Sequence, residues 1–394
     1  MEQNLIGERS IPLDCLYGVQ TLRAVENFPI TGARLGQFPE LVRGLTLVKK
    51  AAALANGELG VLPNVIVRTI VAACDEVMAG RHHEHFVVDM IQGGAGTSTN
   101  MNANEVIANV GLALLGHTPG EYQHLHPNDH VNRSQSTNDA YPTAIRLALL
   151  AQTEVLVVAA ERLAEAFFER AEAFQGIGKV GRTQLQDAVP MTLGMEFASF
   201  GAVVEDDVSH LKEVSELLKE INLGGTAIGT GIAAPKGYDA CVIVHLSRIS
   251  NFRLVRARDL IAASSDMGAL VTYSGALKRI AVKVSKICND LRLLASGPRA
   301  DLGEISLPTV QPGSSIMPGK VNPVITEAVS QVASQISGHD LAVTMAAEAG
   351  QLQFTATEPL IAFNLLQSVR FLTQCARRVE GTLCCRHRGK QGCL

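Results

Sequence analysis

AIRLALLAQTEVLVVAAERLAEAFFERAEAF, residues 144–174, sets the architecture. It is rich in Ala, Leu, Val and Glu, and its apolar residues return with a helical period. Pro142 stands just before it, and the next proline is Pro190. A helix interior excludes proline, so the window between the two holds a very long helix. Further along, Pro190, Pro235, Pro298, Pro323 and Pro359 leave similar windows between 190 and 235, 235 and 298, and 323 and 359. Within them the spacing predicts helices over Met191–Leu218, with Phe197, Phe200, Val204, Val208 and Leu211 on one face, and over Gly268–Leu294. Ile361–Val379 reads as an amphipathic helix. These helices are longer and more apolar than a small domain needs, so they are read as a bundle with faces left over for other subunits. The first 140 residues alternate glycines, short helical patterns and loops, as in a smaller capping domain. No strand–helix alternation points to a parallel sheet.

Composition narrows the function. The chain has 394 residues, 47% hydrophobic, and a formal net charge of −4, so nothing basic points to nucleic acid. Charges interrupt the longest apolar runs, and no membrane span is expected. MEQNLIGERS at the start has no apolar core and is not a secretory signal, which points to the cytoplasm. Of eight cysteines, Cys15, Cys74, Cys241 and Cys288 sit singly in apolar contexts and read as buried thiols. Cys375, Cys384, Cys385 and Cys393 crowd the tail without a C-x-x-C pair, so no zinc site is expected.

Four segments are dense in small polar residues. They are Gly93–Asn102, His126–Asp139 with its Ser134-Gln135-Ser136-Thr137-Asn138-Asp139 end, Gly181–Asp187, and Gly313–Pro323. Three of them lead into long apolar-periodic stretches, so their hydroxyls and amides belong at helix N-termini, where free N–H groups attract anions. Helix capping explains any one of these segments alone. Four together, with Lys320, point to a binding site for a small dicarboxylate.

The fourth segment, GSSIMPGKVNP, resembles the signature loop of the aspartase/fumarase superfamily. GGAGTSTNMNANEVIAN, HPNDHVNRSQSTNDAYPTA, GRTQLQDAVPMTLG and MAAEAGQLQ follow that superfamily's order, and the resemblance covers the chain to about residue 375. It implies an all-α, aspartase/fumarase-like fold, with an N-terminal lyase domain over 1–138 and a central long-helix bundle over 139–380. It also implies a cofactor-free and metal-free lyase, assembled as a homotetramer whose active sites each draw on three subunits. Superfamily members abstract a proton beside a carboxylate and pass through an aci-carboxylate dianion, so the main catalytic need is to stabilise the second negative charge. By position, Ser314 is the implied base. Ser315, Lys320 and Asn322 bind the carboxylate that gains charge, and Thr97, Ser136, Thr137, Asn138, Thr183 and Gln184 bind the rest of the substrate. His126, Asn128 and Asp129 match a secondary anion-binding stretch. A serine base needs a lowered pKa, which Lys320 and loop N–H groups would help to supply.

Three features favour L-aspartate, converted to fumarate and ammonia by a carbon–nitrogen lyase. Gln184 stands where class II fumarases usually have His, Pro323-Val324-Ile325 replaces their Pro-Thr-Gln, and Met345–Gln353 differs from their GNFELN. Fumarate hydration and a catalytically impaired structural homologue are the alternatives. Val110 and Met195 depart from the usual Arg and Gln of relatives. Relatives also continue into a further small helical domain where this chain has GTLCCRHRGKQGCL, so 381–394 reads as an aberrant tail, as a frameshift or early stop would produce. His82-His83-Glu84-His85 reads as a solvated turn. Gly224–Gly231 reads as a tight helix-to-helix connection, because no strand precedes it as a dinucleotide loop requires.

Overall fold

The computed structural model describes residues 2–4, 6–12, 14–297 and 299–384. From residue 385 onward the expected aberrant tail lies outside the described residues. Ten helices of nine or more residues carry the described chain. They are α1 (Val19–Asn27), α2 (Pro39–Glu58), α3 (Asn64–Met78), α4 (Thr97–Leu114), α5 (Thr137–Ala173), α6 (Leu193–Ser215), α7 (Tyr238–Ser250), α8 (Gly268–Leu294), α9 (Val324–Glu348) and α10 (Glu358–Cys384). Three two-stranded pairs add little: β1 (Glu2–Asn4) with β2 (Gly7–Arg9), β3 (Gly178–Thr183) with β4 (Gln186–Thr192), and β5 (Glu220–Ile221) with β6 (Val255–Arg256). The fold is all-α.

Two compact units emerge. Among the described residues, the first takes in the chain up to 152, 215–271 and 342–366; the second takes in 153–214, 272–341 and 367–384. In the first unit α2 packs on α3, α4 and α7. Every residue of α4 from Thr99 to Leu112 is buried, including Asn100, Asn102, Asn104, Glu105 and Asn109. A helix buried all round shows no amphipathic period, which is why this region reads as irregular in sequence. Its polar residues replace missing backbone partners. The Glu105 carboxylate accepts the N–H groups of Gly18, Gln20 and Thr21 at 2.8–3.0 Å, serving the N-terminus of α1.

The second unit is the long-helix bundle. Phe197, Phe200, Val204, Val208 and Leu211 are all buried, as their spacing predicts. Phe197 meets Phe174 edge-on, with ring centroids 5.1 Å apart, and Phe200 meets Phe167 at 5.7 Å. Across α6 and α8 the buried Asp207 pairs with Arg279 at 2.9 Å and Lys283 at 2.8 Å, two residues one helical turn apart. α8 has the bounds expected of it.

α5 begins earlier than the prolines imply, at Thr137, and includes Pro142. Pro142 has no N–H for the carbonyl of Asn138, and its ring crowds that oxygen. The Asn222 side chain supplies the missing donor, Nδ2 to Asn138 O at 2.9 Å. An 18-residue window of α5 is long and apolar enough to cross a membrane by length and composition, and 67% of it is buried inside the protein. Arg146, which interrupts the run in sequence, is itself buried and donates to the carbonyl of Leu217 at 3.2 Å.

Two further expectations change. β5 and β6 pair in parallel around α7, so the Gly224–Gly231 loop follows a strand of two residues, too short to leave a pattern. Cys74 and Cys288 are buried, but Cys15 and Cys241 are only half-buried.

Candidate active site

The polar segments fall into two groups. In the first unit, Gly96 ends the approach to α4 with φ +86°, and a Cβ there would stand 2.3 Å from the Tyr141 ring. Glycine is needed both for that backbone conformation and for that ring. Tyr141 lies on α5, so the contact sets the start of α4, Thr97, beside the start of α5, with Ser136, Thr137 and Asn138. Thr97 is exposed and its hydroxyl donates to Gly94 O at 2.7 Å. Ser136 caps α5: its Oγ accepts the N–H of Asn138 at 3.2 Å, and Asp139 returns to the Ser136 N–H at 2.9 Å. Asp139 also accepts from Gly224 and Thr226 at 3.0 and 2.9 Å, while Asn138 donates to Ala227 O at 2.8 Å. The glycine-rich loop is thereby fastened to the first turn of α5. Burial pushes the Asp139 carboxyl up to about 6, against the backbone donors and the Lys49 charge.

Lys49 is the residue that sequence reasoning misses. It is fully buried on α2 and donates to Asn100 Oδ1 at 2.6 Å, Asn132 Oδ1 at 2.8 Å and Gln135 Oε1 at 3.0 Å. Three ammonium protons meet three amide oxygens drawn from two of the polar segments. Burial pulls the ammonium down to about 7, while Asp139 acts the other way. The only signal in sequence is a lysine inside the apolar run Leu47-Val48-Lys49-Lys50-Ala51. His126, Asn128 and Asp129 form a π-helical turn upstream of Asn132, with His126 Nδ1 accepting the N–H groups of Asn128 and Asp129, both at 3.1 Å.

The second unit holds the other residues. Thr183 and Gln186 pair across a two-residue turn, with Gln184 at φ 53° and Leu185 at φ 62°. This turn geometry favours Asn-Gly, so Gln-Leu gives no hairpin signal. The third segment therefore forms a hairpin and does not open a helix. Its base is anchored by an almost buried quartet: Lys179 pairs with Glu196 and, at 3.0 Å, with Glu304, and Arg182 reaches Glu304 at 2.5 Å.

The loop from Gly313 leads into α9, as expected. Gly313 N–H donates to Lys320 O at 2.8 Å and Asn322 Nδ2 donates to Gly313 O at 3.1 Å, closing its base. A Cβ on Gly313 would meet Asn322 and Lys320 atoms at 2.8–2.9 Å, so only glycine closes it. Ser314 Oγ accepts the N–H groups of Ile316 at 3.2 Å and Met317 at 3.1 Å. Two donors on one hydroxyl oxygen favour its anion. Ser315 and Lys320 are exposed and Asn322 is half-buried.

A family model described as lyase matches residues 7–338. The chain belongs to this lyase family. It is 59% identical to the aspartate ammonia-lyase of Pseudomonas canavaninivorans over 372 residues, 94% of this chain and 78% of that one. It is 56% identical to the aspartate ammonia-lyase of Escherichia coli (strain K12) over 374 residues, 95% of this chain and 78% of that one. Among solved structures, the cobalt-bound fumarate lyase:delta crystallin of Brucella melitensis superimposes with a TM-score of 0.97 at 56% identity, covering 99% of this chain and 85% of that one. The class II fumarase of Schistosoma mansoni gives 0.95 at 33% identity, with the same coverage of the two chains. The lyase fold holds over the described chain, and the enzyme class is that of an ammonia lyase.

Proposed function

We propose that the chain converts L-aspartate to fumarate and ammonia. The identity of 59% and 56% to two aspartate ammonia-lyases, each covered over 78% of its length, carries this reading. Ser314 removes a proton from the carbon beside the β-carboxylate, and the pair of N–H groups on its oxygen favours the deprotonated serine. The bond electrons pass into that carboxylate, which becomes an aci-carboxylate dianion. Ser315, Lys320 and Asn322 hold it, and their worth is greatest when the charge doubles. Collapse of the dianion expels the amine from the neighbouring carbon. Thr97, Ser136, Thr137, Asn138, Thr183 and Gln184 hold the other carboxylate and the amine, and His126, Asn128 and Asp129 form a secondary anion stop. The domain boundaries at 138 and 380, a cytoplasmic location and a homotetramer with sites shared among three subunits belong to the same reading. Apolar side chains beside the site segments support the assembly: Leu185 is 67%, Ile316 84% and Leu352 88% exposed in one chain.

The deciding assay incubates the protein with fumarate, with and without ammonium, and identifies the product. Aspartate formed only with ammonium supports the reading. Malate formed without ammonium overturns it in favour of a hydratase.

A further inference from the structure

Far along the chain from the polar segments, α7 carries Cys241 and His245 one turn apart, so both face the same neighbour. That neighbour is the C-terminus of α2, whose last residue is Glu58. One donor atom from each of the three lies within 4.8 Å of the others. His245 Nε2 and Glu58 Oε2 are 2.8 Å apart. We propose that Glu58, Cys241 and His245 form a binding site for a borderline-soft divalent cation such as Zn2+ or Co2+, clamping the end of α2 to α7.

The chemistry suits that class of ion. Zn2+ accepts thiolate, imidazole and carboxylate ligands, and three protein ligands with a position left for water make an open zinc site, with metal–ligand distances of about 2.0–2.3 Å. Tetrahedral neighbours then stand roughly 3.3–3.7 Å apart. The present spacing, within 4.8 Å overall and 2.8 Å between His245 and Glu58, needs small side-chain turns to reach that geometry. The negative end of the α2 dipole adds attraction for a cation. Burial, with the Glu58 carboxylate next to it, holds the Cys241 thiol above its usual range. An ion reverses this by stabilising the thiolate.

Protons balance as follows. Arg248 donates to His245 Nδ1 at 3.0 Å, which leaves the ring proton on Nε2, directed at Glu58. Metal at Nε2 moves that proton to Nδ1 and releases Arg248, whose exposed side chain turns to solvent. The thiol proton of Cys241 leaves to solvent, so each ion bound releases one proton.

Two other clusters serve as controls. His117, Glu121 and His124 also gather donor atoms within 4.8 Å, as do His82, Glu84 and His85, but neither includes a thiol. The test titrates chelator-treated whole protein with Co2+ and follows the thiolate-to-cobalt charge-transfer band, with proton release measured alongside. The expected result is one band-forming ion per chain with one proton released. Cys241→Ser abolishes the band, and Glu58→Gln and His245→Gln each weaken binding at least ~10-fold. The His117→Ala/His124→Ala double variant leaves the band unchanged. Far-UV circular dichroism checks that each variant is folded, and the exposed Glu58 tolerates Gln in any case. No band in the unaltered protein, a band surviving Cys241→Ser, or unaltered affinity in Glu58→Gln overturns the proposal.

Discussion

Ser314 rests its oxygen on two backbone N–H groups, and the substitution that removes the oxygen leaves that backbone intact. Ser314→Ala is expected to lower kcat by at least ~10²-fold while the thermal unfolding curve stays in place, checked by ammonia release and calorimetry. Lys49 is the opposite case. Lys49→Met strands the buried Asn100 oxygen, at about 1–3 kcal/mol, and takes a donor from the half-buried Asn132 and Gln135 oxygens. Urea unfolding should therefore show a large loss of stability, and KM for aspartate should rise as the two segments loosen. What the sequence reveals at this scale follows the same division. Ser136 is legible as a helix-start residue because capping is local, written within three or four positions. Lys49 is not, because its acceptors lie 51, 83 and 86 positions away.

Among the elements, period is the readable quantity. α6 and α8 bury one stripe each and stand out in sequence, whereas α4 buries its whole circumference and hides. The β3–β4 turn hides for another reason: Gln184 and Leu185 occupy left-handed backbone that their residue types do not advertise. At the start of α5, Asn222→Leu leaves the Asn138 carbonyl without its donor. The expected cost is about 1–3 kcal/mol in urea unfolding, with a rise in KM if Asn138 binds substrate as proposed. The start of α10 gives a pH test. Burial raises the Glu358 carboxyl to about 8, with Arg146 pulling it down, and its Oε2 has no hydrogen-bond partner among the described residues. Its folded pKa is above the unfolded value of 4.5, so the folded state holds the extra proton between 4.5 and about 8. The stability this group contributes is present below that window and is lost as pH rises through it. Glu358→Gln removes the dependence, so its melting temperature relative to the unaltered protein should climb from pH 5 to pH 8.

For the whole molecule, helix length is the feature most clearly written in sequence, and it decides the all-α class. The division into two units is less legible, because each unit is assembled from three separated stretches. Assembly lies beyond one chain, and the proposed homotetramer would cover apolar surface that this chain exposes. Val155 and Val158 on α5, Val282 on α8, and Leu341 and Met345 on α9 are large apolar side chains left in solvent in mid-helix. If the sites are shared among subunits, two inactive variants complement each other. Ser314→Ala and Thr97→Val, refolded together, should recover activity that neither has alone. A mixture as inactive as its parents would place each site within a single subunit.

The proline in α5 has a mechanical consequence. A continuous ladder ties each turn of a helix to the next, so one end cannot shift without disturbing its neighbour. Here the rung between residues 138 and 142 is missing, and an asparagine from elsewhere holds the gap. The leading turn of α5 is thus joined to the rod by one rung fewer, and a borrowed side chain makes up the loss.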